Sequence, residues 1–123
     1  MEQKTDLNYL TKKLGIEVIK FTSTLPHNLP SKIIANQIIK SSTSVGANYR
    51  SVYRARSKAE FIAKLGLVEE ETDETLYWLE ILQETGIVSE TSIKEIYLIA
   101  KQILAMTIAS LKTAKKNPKF RYK

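Results

Sequence analysis

Apolar residues recur at steps of three and four in four separate runs, the spacing that places side chains on one side of an α-helix. Leu7, Leu10, Leu14, Val18, Phe21 and Leu25 form the first run and predict a helix over about 6–24, with Asp6 as its N-cap. Ile34, Ile38, Val45 and Val52 predict a second over about 31–55, beginning directly after Pro30. Phe61, Leu65, Val68, Thr72, Leu76, Leu79 and Leu82 predict a third over about 58–85. Ile93, Ile96, Ala100, Ile103, Thr107 and Leu111 predict a fourth over about 90–116. The strict alternation of a β-strand persists nowhere.

The punctuation agrees with these runs. Pro26 and Pro30 bracket the first break, and Gly86 stands in the third, placed to end a helix in the left-handed conformation. Ser57-Lys58-Ala59-Glu60 has capping-box spacing, and Ser92-Ile93-Lys94-Glu95 repeats it. Gly15, Gly46 and Gly66 lie inside helical patterns, where each costs about 1 kcal/mol relative to alanine unless close packing requires it. Four amphipathic helices joined by short loops bury their stripes only side by side, and short connections make neighbours antiparallel. The expectation is an all-α, up-down-up-down four-helix bundle in a single domain over residues 1–117, with 118–123 as a flexible basic tail.

Composition narrows the class. A chain of 123 residues, 43% hydrophobic and 26% charged, holds one core and is not composed like a disordered protein. With no cysteine, disulfide scaffolds, thiolate metal sites and cysteine catalysis are excluded. The polar N-terminal segment lacks a signal-peptide core, and no stretch approaches ~18 unbroken apolar residues. A cytoplasmic protein without a membrane partner is therefore expected.

The net charge of +6 is unevenly laid out. Residues 1–58 carry ten Lys/Arg against three Asp/Glu, residues 59–95 two against ten, and residues 96–123 seven against none. Opposite charges on neighbouring helices attract, which is sufficient reason for such a layout; two basic segments brought together would also attract phosphate. Arg50, Arg54, Arg56 and Lys58 are interleaved with Tyr49 and Tyr53; Lys112, Lys115, Lys116, Lys119, Arg121 and Lys123 form a second cluster, from which Lys112, Lys115 and Lys116 join the first four. Basic residues suit a helix C-terminus, whereas arginine with tyrosine suits phosphate and an unpaired base. These seven cations are the candidate nucleic-acid contacts.

Catalytic chemistry finds little to build on. His27 is the one histidine and lies in a turn, so no metal site or cofactor is expected. Glu69, Glu70, Glu71, Asp73 and Glu74 point around the whole helix axis, and most must face water. Glu71 borders the inner stripe, and Gln37, Ser41, Ser44 and Asn48 form a polar stripe on the second helix that offers it partners. A buried hydrogen-bond network fixing register is the expectation for these five, with a ligand pocket as the alternative. Tyr77, Trp78 and Ile81 on the third helix, and Tyr97, Leu98 and Met106 on the fourth, are large apolar groups outside the main stripes. They point to self-association, with Tyr77, Trp78, Ile81 and Tyr97 as candidate interface residues.

Phe21-Thr22-Ser23-Thr24-Leu25-Pro26, Gln37-Ile38, the run from Ser41 to Arg50, the run from Arg54 to Gly66 and the run from Val68 to Thr75 together resemble the bacterial four helix bundle proteins, or 23S rRNA intervening-sequence proteins. The resemblance spans about residues 8–115. It implies an up-down-up-down bundle assembling into a homopentameric ring, in a family with some members encoded within insertions in ribosomal RNA genes. More distantly the chain is similar to the accessory proteins of diversity-generating retroelements, which as basic pentamers bind a reverse transcriptase and nucleic acid. Many family members have Asn-Ile-x-Glu-Gly where this chain has Asn48-Tyr49-Arg50-Ser51-Val52, and loss of that acid raises the local positive charge. The resulting expectation is a non-catalytic oligomeric scaffold binding RNA or DNA; the alternative is a protein-interaction adaptor, for a reverse transcriptase or another partner.

Overall fold

A side-chain cap opens every helix among the described residues. In the computed structural model, which describes residues 6–117, Asp6, Asn28, Ser57 and Ser89 are extended residues whose side-chain oxygens accept backbone amides. The donors are Tyr9 at 2.8 Å, Ser31 at 3.0 Å, Glu60 at 3.0 Å and Ser92 at 3.2 Å. These caps open α1 (Leu7–Thr22), α2 (Leu29–Val52), α3 (Lys58–Glu84) and α4 (Glu90–Lys116). Residues 118–123, expected to be a tail, lie outside the described residues.

One start and one cap differ from expectation, while α4 spans the expected 90–116. α2 begins at Leu29 rather than Ser31, because Pro30 occupies the first turn, where its missing N–H is not needed, and Asn28 caps it. Ser89 rather than Ser92 caps α4, and Ser92 sits in the first turn with its hydroxyl on the Ser89 carbonyl at 2.7 Å. α2 also ends earlier than 55: the Arg54 and Ala55 amides bond the Ser51 and Val52 carbonyls, a tighter turn that buries Ala55 completely. α3 ends as expected, with Gly86 at φ +77°, and the Gly86 and Val88 amides reach the Gln83 and Leu82 carbonyls.

Loops of six, five and five residues (23–28, 53–57 and 85–89) allow only antiparallel neighbours. α1 packs on α2 and α4, and α3 packs on α2 and α4, while diagonal pairs do not meet among the described residues. No strand occurs among the described residues either. The fold is the all-α up-down-up-down four-helix bundle that the periodicity predicts. The expected stripes are the core, with Phe61 only partly buried.

α1 is the shortest helix and approaches α2 closely. A Cβ built on Gly46 would stand 3.1 Å from the Thr11 carbonyl oxygen, and one on Gly15 would stand 3.5 Å from the Ser42 carbonyl oxygen. Backbone thus meets backbone across this seam. Gly66 on α3 has nothing within 4 Å of its would-be Cβ.

Buried hydroxyls of Thr11, Ser41, Ser42, Thr72, Thr75 and Thr107 lie among the core residues. Thr11, Thr72 and Thr75 each donate to the carbonyl one turn back, at 2.6, 2.7 and 2.9 Å, so they dispense with water locally. Among the described residues, the polar network expected from Gln37, Ser41, Ser44, Asn48 and Glu71 reduces to one cross-helix bond, between the Ser41 and Thr75 hydroxyls at 2.9 Å. Gln37 is exposed, and Asn48 donates to the Ser44 carbonyl of its own helix at 2.9 Å. A short serine or threonine meets its own backbone more readily than a partner across the core, which is why the stripe does not connect. Glu71 stays half-exposed; burial raises its carboxyl pKa, Glu74 and Glu70 add to the rise, and Lys40 opposes it.

α4 is long and apolar enough, by length and composition, to cross a membrane, although no unbroken apolar run was visible in the sequence. Its inward stripe from Ile93 to Ala114 is buried in the bundle, and a surplus of apolar groups remains on its outer side.

Two outcomes follow from this packing. Gly46→Ala costs about 1–3 kcal/mol, because backbone must yield to the new methyl group, whereas Gly66→Ala gains about 0.5–1 kcal/mol of helix stability. Chemical denaturation of the pair checks this, and equal effects at the two positions would refute the close-approach argument. Because the folded state raises the Glu71 pKa, its ionised form lowers stability above that pKa. The penalty fades as pH falls through the folded value towards the unfolded one, about 4.3. Glu71→Gln should therefore raise the thermal midpoint at pH 7 and lose that advantage near pH 4.

Candidate nucleic-acid interface

Antiparallel packing decides where the two basic clusters go. The C-terminus of α2, the 53–57 loop, the N-terminus of α3 and the C-terminus of α4 all lie at one end of the bundle. A hydrogen bond from Lys58 Nζ to the Asn117 carbonyl, 2.8 Å long, ties the start of α3 to the end of α4. All seven basic candidates therefore gather at this end. Residues 50–60 contribute four Lys/Arg and one acid, and residues 110–117 three Lys and none.

The seven differ in what they have left to offer. Lys58 is half-buried and committed to the α4 terminus. Arg56 is exposed but stands 3.8 Å from the Glu60 carboxylate. Arg50, Arg54, Lys112, Lys115 and Lys116 are exposed. Arg50 lies in the last turn of α2, and Lys115 and Lys116 lie in the last turn of α4.

Tyr49 and Tyr53 stand edge to face, with centroids 5.6 Å apart and planes at 84°. Burial pushes the Tyr49 hydroxyl above its ordinary value, and Tyr53 and Asp6 add to the effect. Tyr53, by contrast, is 58% exposed. It closes one end of a groove of about 490 Å³ between α1 and α2, whose rim includes Lys12 and Arg50 and whose apolar side includes Ile16 and Ile19. Among the described residues, no acid lines this groove. Sequence reasoning missed it, although Lys12, Ile16 and Ile19 recur at helical spacing outside the main stripe of α1.

At the other end of the bundle the α3–α4 side is rich in acids. Glu80, Glu84 and Glu90 line a groove of about 580 Å³ between α3 and α4, together with Lys94, Tyr97 and Leu98. His27 is exposed in the loop at this end. Among the described residues, no three His, Asp or Glu side chains converge as a metal site would require.

The interface candidates occupy the α3 and α4 flanks. Tyr77 is 53% and Leu98 57% exposed, while Trp78, Ile81 and Tyr97 are partly buried. Tyr77 meets Trp78 edge to face at 5.0 Å, and Lys101 Nζ lies 5.9 Å from the Tyr97 ring centroid. Ile108, further along α4, is also exposed.

The chain is similar to a crystal structure of a protein of unknown function from the S23 ribosomal protein family of Bacteroides thetaiotaomicron, with 29% identity and a TM-score of 0.80. That match covers 88% of this chain and 100% of the other. Comparison with curated proteins finds no match. The sequence profile of the 23S rRNA-intervening sequence proteins matches residues 4–109, nearly the whole bundle. The chain thus belongs to the 23S rRNA-intervening sequence protein family.

Proposed function

We propose that this protein is a non-catalytic, self-associating helical scaffold that binds RNA or DNA through its basic end. The observation that carries the reading is the gathering of residues 50–60 and 110–117, distant in sequence, at one end with a single acid among them. Attraction to phosphate releases counterions, so binding of this kind is strongly salt-dependent and weakly sequence-selective. Self-association is supported by the apolar surplus on α4 and by exposed Tyr77, Leu98 and Ile108, which water hydrates poorly. A ring of five is the assembly that the family resemblance favours.

A protein-interaction adaptor is the second reading, favoured by the acidic α3–α4 groove with Tyr97 and Leu98 on its wall. A basic, amphipathic protein segment is what such a groove would take. A protein partner that remains bound after nuclease treatment would favour this reading over the first.

Gel-shift titration at low salt should detect nucleic-acid binding, with log affinity falling linearly as log salt rises. Replacing Arg54, Lys112, Lys115 and Lys116 together by glutamine should flatten that slope by about three, at ~0.7–0.9 for each phosphate that is no longer neutralised. The Lys20→Gln/Lys32→Gln pair at the far end should leave it unchanged. Absence of binding by the wild type at low salt would sink the reading. Independently, light scattering coupled to size exclusion should find an oligomer at micromolar concentration. Leu98→Glu/Ile108→Glu should convert it to monomer without loss of helicity, because both side chains already face out of the isolated bundle; a monomeric wild type refutes the assembly.

A further inference from the structure

The α1–α2 groove combines features that phosphate attraction alone does not require. Its floor is shallow because Gly15 and Gly46 hold two backbones together, leaving no long side chain to fill it. Ile16 and Ile19, 44% and 49% exposed, supply an apolar side. Tyr53 stands at one end with its ring in solvent, its edge-to-face contact with Tyr49 limiting its freedom. Lys12 and Arg50 add positive charge, and no acid among the described residues on its walls opposes it. Arg54, next to Tyr53 in the chain, is exposed as well.

A groove with an apolar side, an exposed aromatic ring and a cationic rim matches an unpaired nucleotide. The base stacks on the ring, and its phosphates meet the cations. A base inside a duplex is already stacked on both faces and cannot reach such a ring without unpairing. We infer that the protein prefers single-stranded over duplex nucleic acid, seating one unpaired base in the α1–α2 groove against Tyr53, with Lys12 and Arg50 on the adjoining phosphates. The inference rests on the nucleic-acid reading above and adds to it the strand state of the ligand.

Fluorescence anisotropy at fixed low salt tests it, with a labelled oligo-uridine about twelve nucleotides long, near the upper part of the usual single-strand site size, and an RNA hairpin duplex presenting the same number of phosphates. The oligo-uridine should bind at least tenfold more tightly than the hairpin. Tyr53→Ala should weaken oligo-uridine binding by about tenfold, in the range for loss of one stacked base, while hairpin affinity and both salt slopes stay unchanged. Tyr53→Phe should retain wild-type binding, since stacking needs the ring and not the hydroxyl. Lys12→Gln/Arg50→Gln should weaken the oligo-uridine more than the hairpin and flatten its salt slope.

Equal affinity for strand and duplex, or an unaffected Tyr53→Ala, overturns the inference and leaves the basic end as a general phosphate-binding surface. Failure of both probes to bind removes the nucleic-acid reading itself. A change of oligomeric state on Tyr53→Ala, seen by light scattering, would instead make the groove a contact between copies of the chain and overturn the inference.

Discussion

Burial of four apolar stripes through short connections is the constraint from which everything else follows. A helix that exposes Leu14, Ile38, Leu79 or Ile103 to water forfeits about 1.5–3 kcal/mol at each such residue, and each of these four is fully buried here. Loops of five or six residues leave one way to satisfy all four stripes, with successive helices reversing direction. That reversal brings the end of α2 and the end of α4 to the same pole as the start of α3. Sequence segments more than fifty residues apart then share a surface for reasons of packing, and their charges come with them.

The centre of the bundle shows how polar residues enter a core without making a pocket. Thr11, Thr72 and Thr75 return their hydroxyls to the carbonyls of the preceding turn, so burial leaves those groups satisfied within one helix. Their small volume, with that of Gly15 and Gly46, lets helices approach more closely than leucine would permit. Close approach on the inside leaves a shallow trough on the outside. The α1–α2 groove is thus the external counterpart of tight internal packing, and its chemistry is set by whichever residues border it.

Much of this was legible in the chain. Helical periodicity identified nearly the whole core, because the inward positions of an amphipathic helix must be apolar whatever their partners. Caps were readable where the motif was unambiguous, as at Asp6 and Ser57. At α4 the expected span of 90–116 matches the helix, and only the choice of cap stayed open, because Ser89 and Ser92 are equally good acceptors. Gln37, Ser41, Ser44 and Asn48 do share a helical spacing on α2, but Gln37 turns out to solvent and Asn48 turns back to its own helix, so the stripe does not reach Glu71 on α3 as a network. The groove was illegible because it depends on α1 and α2 meeting at two glycines, a relation between positions thirty-one residues apart.

The same distinction separates the cations that structure explains from those it does not. A helix C-terminus favours positive charge by about 0.3–1 kcal/mol, which suffices for Arg50, Lys115 and Lys116. Lys58 opens α3, where the dipole disfavours a cation, yet its ammonium crosses to the Asn117 carbonyl and so finds the negative end of α4 instead. Arg56 answers Glu60. Arg54 directly follows the α2 C-cap Tyr53 and shares that reason, whereas Lys112 stands before the last turn of α4 and, among the described residues, pairs with no acid, with like charge nearby. Folding alone would sooner place such a residue beside the carboxylates that α3 carries from Glu69 onward. On the function proposed above, an anion arriving from outside would compensate this charge, and the exposed ring of Tyr53 would meet the base that the anion carries.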